Sequence, residues 1–233
     1  MADALRLQGV SAGYGETVVL EGIDLALGKG ESLSVIGRNG VGKSTLLATI
    51  MGHTTLHAGE ISLEGRRIER ADVHARALAG LGFVPQEREI FPSLSVRENL
   101  EIGARPGPWT ADRLFELFPN IRERLDNAGS QLSGGEQQML AIARALMTNP
   151  SVLLMDEPTE GLAPVIVQAL ALVLARLRAE GHPAIVLVEQ NSRVALEFSD
   201  RTVVMDKGRI AYDGPSARLR EDPDFLASLI ALE

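Results

Sequence analysis

The sequence predicts a doubly wound α/β core interrupted by a helical insertion, and three observations carry that expectation. An apolar run, Ser32-Leu33-Ser34-Val35-Ile36, feeds a glycine loop, Gly37-Arg38-Asn39-Gly40-Val41-Gly42-Lys43-Ser44-Thr45, which opens into the helical pattern Leu46 to Met51. Short apolar runs at Leu81 to Val84, Val152 to Met155, Ala184 to Val188 and Thr202 to Met205 recur with helical patterns between them. From Ser95 to Met147 the pattern is helical with few strand signals. One domain is therefore expected over residues 1–233, with its core in 1–86 and 150–233 and a helical subdomain in 87–149.

In chain order, Leu5 to Val10 alternates apolar and polar residues, as a half-buried strand does. Ile23 to Leu27 and Leu33 to Ile36 continue the strands, and Gly59 to Gly65 reads as another between turn glycines. Asp72 to Ala79 is expected to be helical. Pro164 to Ala179 is expected to be a long amphipathic helix, with Pro164 suited to its first turn.

Composition narrows the function. The 23 basic and 31 acidic residues leave a net charge of −8, which argues against a nucleic-acid surface. With no cysteine there is neither a disulfide nor a thiolate metal site. Met1-Ala2-Asp3-Ala4 lacks the layout of a signal peptide, and no apolar run approaches a membrane span. A soluble, cytoplasmic protein is expected.

The glycine loop has the strand–loop–helix context of a phosphate site. Glycines let backbone N–H groups curl around phosphate oxygens, and the following helix adds its unpaired amides. Lys43 would reach the β- and γ-phosphates, and the Ser44 hydroxyl would ligate Mg²⁺. The chain has three lysines (Lys29, Lys43 and Lys207), and one of them falls where the loop needs it. A second anion site is expected at Leu132-Ser133-Gly134-Gly135-Glu136, which opens another helix. Ser133 and Glu136 form a capping-box pattern. Glycines at the first helical positions weaken a helix by about 1 kcal/mol each, so a cap alone does not explain them. Val152 to Glu157 reads as a buried strand ending in two carboxylates. Asp156 would hold Mg²⁺ and Glu157 would orient or deprotonate water.

Together these motifs resemble the ATP-binding subunit of an ABC transporter over nearly the whole chain. The resemblance implies a P-loop NTPase core of the RecA type, with an antiparallel β subdomain and a helical insertion carrying the ABC signature. Gly37 to Thr45 is then Walker A, Leu132 to Glu136 the signature and Val152 to Glu157 Walker B. Tyr14 matches the aromatic that stacks on adenine. Gln86 matches the glutamine that touches Mg²⁺ and the attacking water. The resemblance further implies a head-to-tail dimer in which Ser133, Gly134 and Gly135 complete the other chain's ATP site. It implies membrane permease subunits, a substrate-binding protein acting indirectly, and a position on the inner face of the cell membrane. Ile90 and Phe91, in Glu87 to Pro92, would either dock the permease or plug the core.

Two positions depart from the family pattern. Gln190 falls where a histidine usually contacts the γ-phosphate, and it can still donate a hydrogen bond without carrying charge. Ala163 replaces an aspartate. His182 lies at the wrong end of its strand to substitute. Glu160-Gly161-Leu162-Ala163-Pro164 and Val188-Glu189-Gln190-Asn191 resemble one of the two ATPase subunits of branched-chain amino-acid importers. Val84 to Pro92 also resembles the urea-type relatives of that group. Pairing with a second, different ATPase subunit is expected, with a homodimer as the alternative. A soluble, non-transport ABC ATPase is the further alternative.

Overall fold

A computed structural model describes residues 3–230. The chain opens with a hairpin of β1 (Asp3–Tyr14) and β2 (Thr17–Gly28), enters the central sheet through β3 (Ser32–Ile36) and turns into α1 (Lys43–Met51). Next come β4 (Thr55–Leu63), the short β5 (Arg66–Arg67), α2 (Val73–Leu78) and β6 (Leu81–Val84). The middle third holds α3 (Val96–Glu101), α4 (Ala111–Leu117), α5 (Pro119–Arg122) and α6 (Gly134–Met147), with one 3-10 turn at Gly129–Gln131. Then follow β7 (Val152–Asp156), α7 (Pro164–Glu180), β8 (Ala184–Val188) and α8 (Ser192–Phe198). The chain ends with β9 (Arg201–Asp206), β10 (Arg209–Pro215), α9 (Ser216–Glu221) and α10 (Pro223–Ile230).

Two sheets result. The antiparallel one runs β2-β1-β4-β5, and the central one runs β10-β9-β3-β8-β7-β6. Every pairing in the central sheet is parallel except that of β10 with β9. Crossover helices cover both faces of a parallel sheet, so its strands are apolar on both sides. All residues of β3, β7 and β8 are accordingly buried. Alternation then assigns each side chain to a face. Val152 and Leu154 point into one core with Leu46, Ile50 and the first sheet, whereas Leu153 and Met155 point into another with α6 and α7. Leu140, Ile142 and Leu146 of α6 belong to this second core, so the helical third shares its apolar interior with the central sheet.

The structure extends several expected strands. β1 and β2 each run twelve residues because bulges absorb their glycines, with register shifts between Leu7 and Val10 and between Val10 and Ala12. Gly59 sits inside β4 instead of bounding it. A Cβ there would lie 2.5 Å from the Gly9 carbonyl oxygen, so the glycine permits close strand approach. No expected element covers β10, α8, α9 or α10. β10 is an edge strand without a buried residue, and the helices are at most eight residues long. Such elements bury too little to leave a strong periodic signal.

Candidate active site

In a parallel sheet, ligands gather beyond the carboxyl ends of the strands. Here those ends are Ile36, Asp156 and Val188, on three adjacent strands. The loop after β3 leads to Gly42, the α1 N-cap, whose φ of 104° lies in the left-handed region. A Cβ at Gly42 would also lie 2.9 Å from Leu20 on the β1–β2 hairpin. Tyr14, 54% exposed, ends the first strand of that hairpin.

A cavity of about 240 Å³ opens above the loop, lined by Asn39, Gly40, Gly42, Lys43, Ser44, Thr45, Gln86, Glu157 and Glu160. The fold thus brings together residues from three separate stretches of sequence. The Ser44 hydroxyl donates to Asp156 Oδ1 at 3.1 Å. The Lys43 ammonium donates to the carbonyls of Gly37 (3.0 Å) and Arg38 (3.1 Å) and lies 3.4 Å from Glu157 Oε1. Gln86 donates its amide to the Glu160 carboxylate. Val41 ties the loop to the sheet, its carbonyl accepting from the Gly208 amide at 3.0 Å. A larger, mainly apolar cavity of about 530 Å³ between α7 and α8 contains none of these groups.

Burial pushes the Asp156 carboxyl up; the Ser44 hydrogen bond opposes the shift and the Glu157 charge adds to it. A buried carboxylate beside a hydroxyl suits Mg²⁺, which takes one or two protein oxygens and completes its octahedron with phosphate and water. Among the described residues no cluster of three or more His, Cys, Asp or Glu forms a self-sufficient metal cage. Ser44 and Asp156 therefore fit a metal that arrives with the nucleotide.

Glu157 has φ of 45°, left-handed for a non-glycine residue, at a cost of about 1–2 kcal/mol. Gln190 is exposed and lines two neighbouring cavities, one with Glu157, Thr159 and Glu189 and the other with Gly37, Arg38, Asn39 and Ile230. The sequence reading missed Glu189. It is 2% exposed, and its Oε1 accepts from the Thr159 N–H (3.2 Å) and hydroxyl (2.8 Å). Burial is the largest influence on its carboxyl and raises it. The signal was present: an acid at the carboxyl end of an apolar strand, the pattern that singled out Asp156.

Ser133, Gly134 and Gly135 do not line the 240 Å³ cavity. They open α6, where Ser133 and Glu136 form the expected capping box. The Ser133 N–H and hydroxyl donate to Glu136 Oε2 at 2.8 and 2.7 Å, holding that carboxyl below its usual range. Gly135 also has a packing reason, since its Cβ would lie 2.7 Å from Ile166 of α7. Ile90 packs into the helical core, whereas Phe91 is 42% exposed beneath the Arg144 guanidinium, 5.1 Å from its ring centre. Among the described residues no helix is long and apolar enough to cross a membrane.

Residues 20–160 match the ABC transporter family. The chain belongs to that family and is an ABC ATPase, a class that dimerises and works with transmembrane permease subunits. It is 40% identical to the high-affinity branched-chain amino acid transport ATP-binding protein BraG of Pseudomonas aeruginosa, over 94% of this chain and 96% of that one. It is 37% identical to the probable branched-chain amino acid transport ATP-binding protein LivF of Archaeoglobus fulgidus, over 95% and 96% of the two chains. The lipopolysaccharide export ATP-binding protein LptB of Escherichia coli is 31% identical over 94% and 93%. Among solved structures, cbiO1 of Clostridium perfringens aligns with a TM-score of 0.83 at 25% identity, covering 98% of this chain and 95% of that one. The cassette MJ0796, solved as a dimer bound to ADP and Pi, aligns with a TM-score of 0.79 at 26% identity over 91% and 98%. This protein is thus an ABC ATP-binding subunit homologous to the ATPases of branched-chain amino-acid importers.

Proposed function

We propose that this chain hydrolyses Mg²⁺-ATP to drive a branched-chain amino-acid importer, bound to its permease on the inner face of the membrane. The observation that carries the reading is the convergence of Lys43, Ser44 and Glu157 on one cavity, with Asp156 held 3.1 Å from Ser44 and Lys43 lying 3.4 Å from Glu157. Backbone amides of residues 37–45 cradle the phosphates while Tyr14 stacks on adenine. Lys43 leaves the Gly37 and Arg38 carbonyls to pair with the β- and γ-phosphates. Ser44, Asp156 and Gln86 hold Mg²⁺, which when bound neutralises charge on the transferring phosphoryl group. Freed from Lys43, Glu157 accepts the proton of the attacking water. Gln86 releases Glu160 to orient that water, and Gln190 donates to the γ-phosphate.

Ser133, Gly134 and Gly135 then act in the site of a second ATPase subunit. Their position outside this chain's own cavity supports that role. We infer a heterodimer, because Gln190 and Ala163 replace two residues the family uses at the closed interface. Residues 87–149 act as a subdomain that moves with the permease, touched by Phe91, and a substrate-binding protein delivers the cargo from the other side.

ATPase activity and vesicle uptake measured with this chain, the permease and a second ATPase subunit test the proposal. Uptake should need both ATPases. Full uptake without the second would overturn the heterodimer, and nucleotide affinity unchanged by Lys43→Ala would overturn the loop assignment.

A further inference from the structure

We propose that Glu189 is a positioning residue, whose carboxylate ties Thr159 to the end of β8 and so holds the turn that presents Glu157 to the attacking water. The proposal rests on the reading of Glu157 as the general base.

Glu157 sits at φ 45°, a conformation a non-glycine residue keeps only where its surroundings over-determine it. The turn is gripped at two points from the same strand end. The Glu157 N–H donates to the Val188 carbonyl at 2.9 Å. Two residues on, the Thr159 N–H and hydroxyl both donate to Glu189 Oε1, at 3.2 and 2.8 Å. Within the turn, the Glu160 N–H closes onto the Glu157 carbonyl at 3.0 Å. Val188 ends β8 and Glu189 follows it, so the strand end and the next residue together hold the strained turn.

The chemistry of Glu189 supports a specific task. It is 2% exposed, and none of the ion pairs among the described residues involves it. A buried carboxylate without a cation is unfavourable unless its hydrogen bonds are needed. Here they go to the loop that carries Glu157 and leads to Ala163 at the start of α7. Gln190, the next residue, faces the phosphate loop across a cavity lined by Gly37 and Arg38. A shift of the β8 end would therefore move Gln190 and the Glu157 turn together.

The required group is a hydrogen-bond acceptor, not a charge. Glu189→Gln keeps an acceptor for Thr159, Glu189→Ala removes it, and Thr159→Val removes only the hydroxyl donor. The test measures steady-state ATP hydrolysis by the assembled transporter, ATP affinity by titration with a fluorescent analogue, and the melting temperature of each variant. Glu189→Ala should lower kcat about tenfold or more while leaving ATP affinity within about twofold, the split expected of a lost transition-state alignment. Glu189→Gln should recover turnover to within about threefold of the parent, because the acceptor is kept. Thr159→Val should fall between them and add little to Glu189→Ala, as two halves of one interaction do.

If Glu189→Ala does not fold, the Gln and Val variants still decide, because a folded Glu189→Gln as impaired as Glu157→Gln overturns the proposal. So does Glu189→Ala turning over within about twofold of the parent, or additive loss in the double variant. Glu157→Gln, run in parallel, separates the two claims. Turnover retained in Glu157→Gln removes the reading of Glu157 as base. Turnover lost in Glu157→Gln but normal in Glu189→Ala removes only the role of Glu189.

Discussion

The two glycines that open α6 should respond differently to alanine. At Gly134 a Cβ would meet only the Arg88 guanidinium, with Nη1 at 3.2 Å, the far end of a flexible side chain. Alanine there relieves the conformational cost of glycine in a helix, a gain of about 0.5–1 kcal/mol. For a chain of this size that raises the melting temperature by about 1–4 °C. At Gly135 the Cβ would lie 2.7 Å from Ile166 Cγ2 and 3.2 Å from Cδ1 and Cγ1, a side chain fixed against α6 from α7. Overpacking of that kind costs about 1–3 kcal/mol, which exceeds the same helix gain. The net is a loss of about 1 kcal/mol and a fall of about 2–4 °C. The assay is thermal denaturation of the nucleotide-free protein, followed by ATP turnover of the assembled pair. Gly134→Ala should be more stable yet slower, because a methyl group would cover the amides proposed to meet the partner's phosphate. Gly135→Ala as stabilising as Gly134→Ala would refute the packing argument. A stabilised Gly134→Ala with parental turnover would refute the reading of this helix start as an anion site.

Ala163 is the α7 N-cap and makes no side-chain cap, and the first turn has no acid. Ala163→Asp should therefore stabilise the protein by about 1 kcal/mol, read as a melting temperature about 2–4 °C higher. Asp156→Asn should raise the melting temperature without nucleotide and abolish the extra stabilisation that Mg²⁺ gives in the presence of ATP. The sign follows from the raised Asp156 carboxyl: folding favours its protonated form, so the charged form weakens the fold at neutral pH. That penalty fades as pH falls through the raised folded value and is gone below the unfolded one. The advantage of Asp156→Asn over the parent should accordingly narrow on acidification. A constant gap across that range would contradict it.

What was legible in the sequence followed burial. β3, β7 and β8 are buried throughout, and their continuous apolar runs mark them in the sequence. The Ser133–Glu136 capping box and Pro164 at the head of α7 also follow from local chemistry that tertiary structure did not override. β10 is hard to read because its apolar face amounts to Ile210 and Tyr212, both only half-buried, in a short edge strand. The motifs put Lys43, Ser44, Asp156 and Glu157 in one site, and the fold sets Lys43, Ser44 and Glu157 around one cavity with Asp156 hydrogen-bonded to Ser44. Motifs carry no side-chain torsions, however. The retreat of Lys43 onto the Gly37 and Arg38 carbonyls and the Gln86 contact with Glu160 were not readable, nor was the bond from Thr159 to Glu189. Each of these joins residues whose pairing no local pattern encodes.

The central claim is that Lys43 binds the phosphates and Glu157 activates the water in one site. Parallel titration of nucleotide binding and phosphate release, for the parent, Lys43→Ala and Glu157→Gln, tests it most directly. Lys43→Ala should lose both binding and release. Glu157→Gln should bind Mg²⁺-ATP like the parent and release phosphate at least about a hundredfold more slowly, as loss of a positioned base requires. Phosphate release by Glu157→Gln within a few-fold of the parent would contradict it.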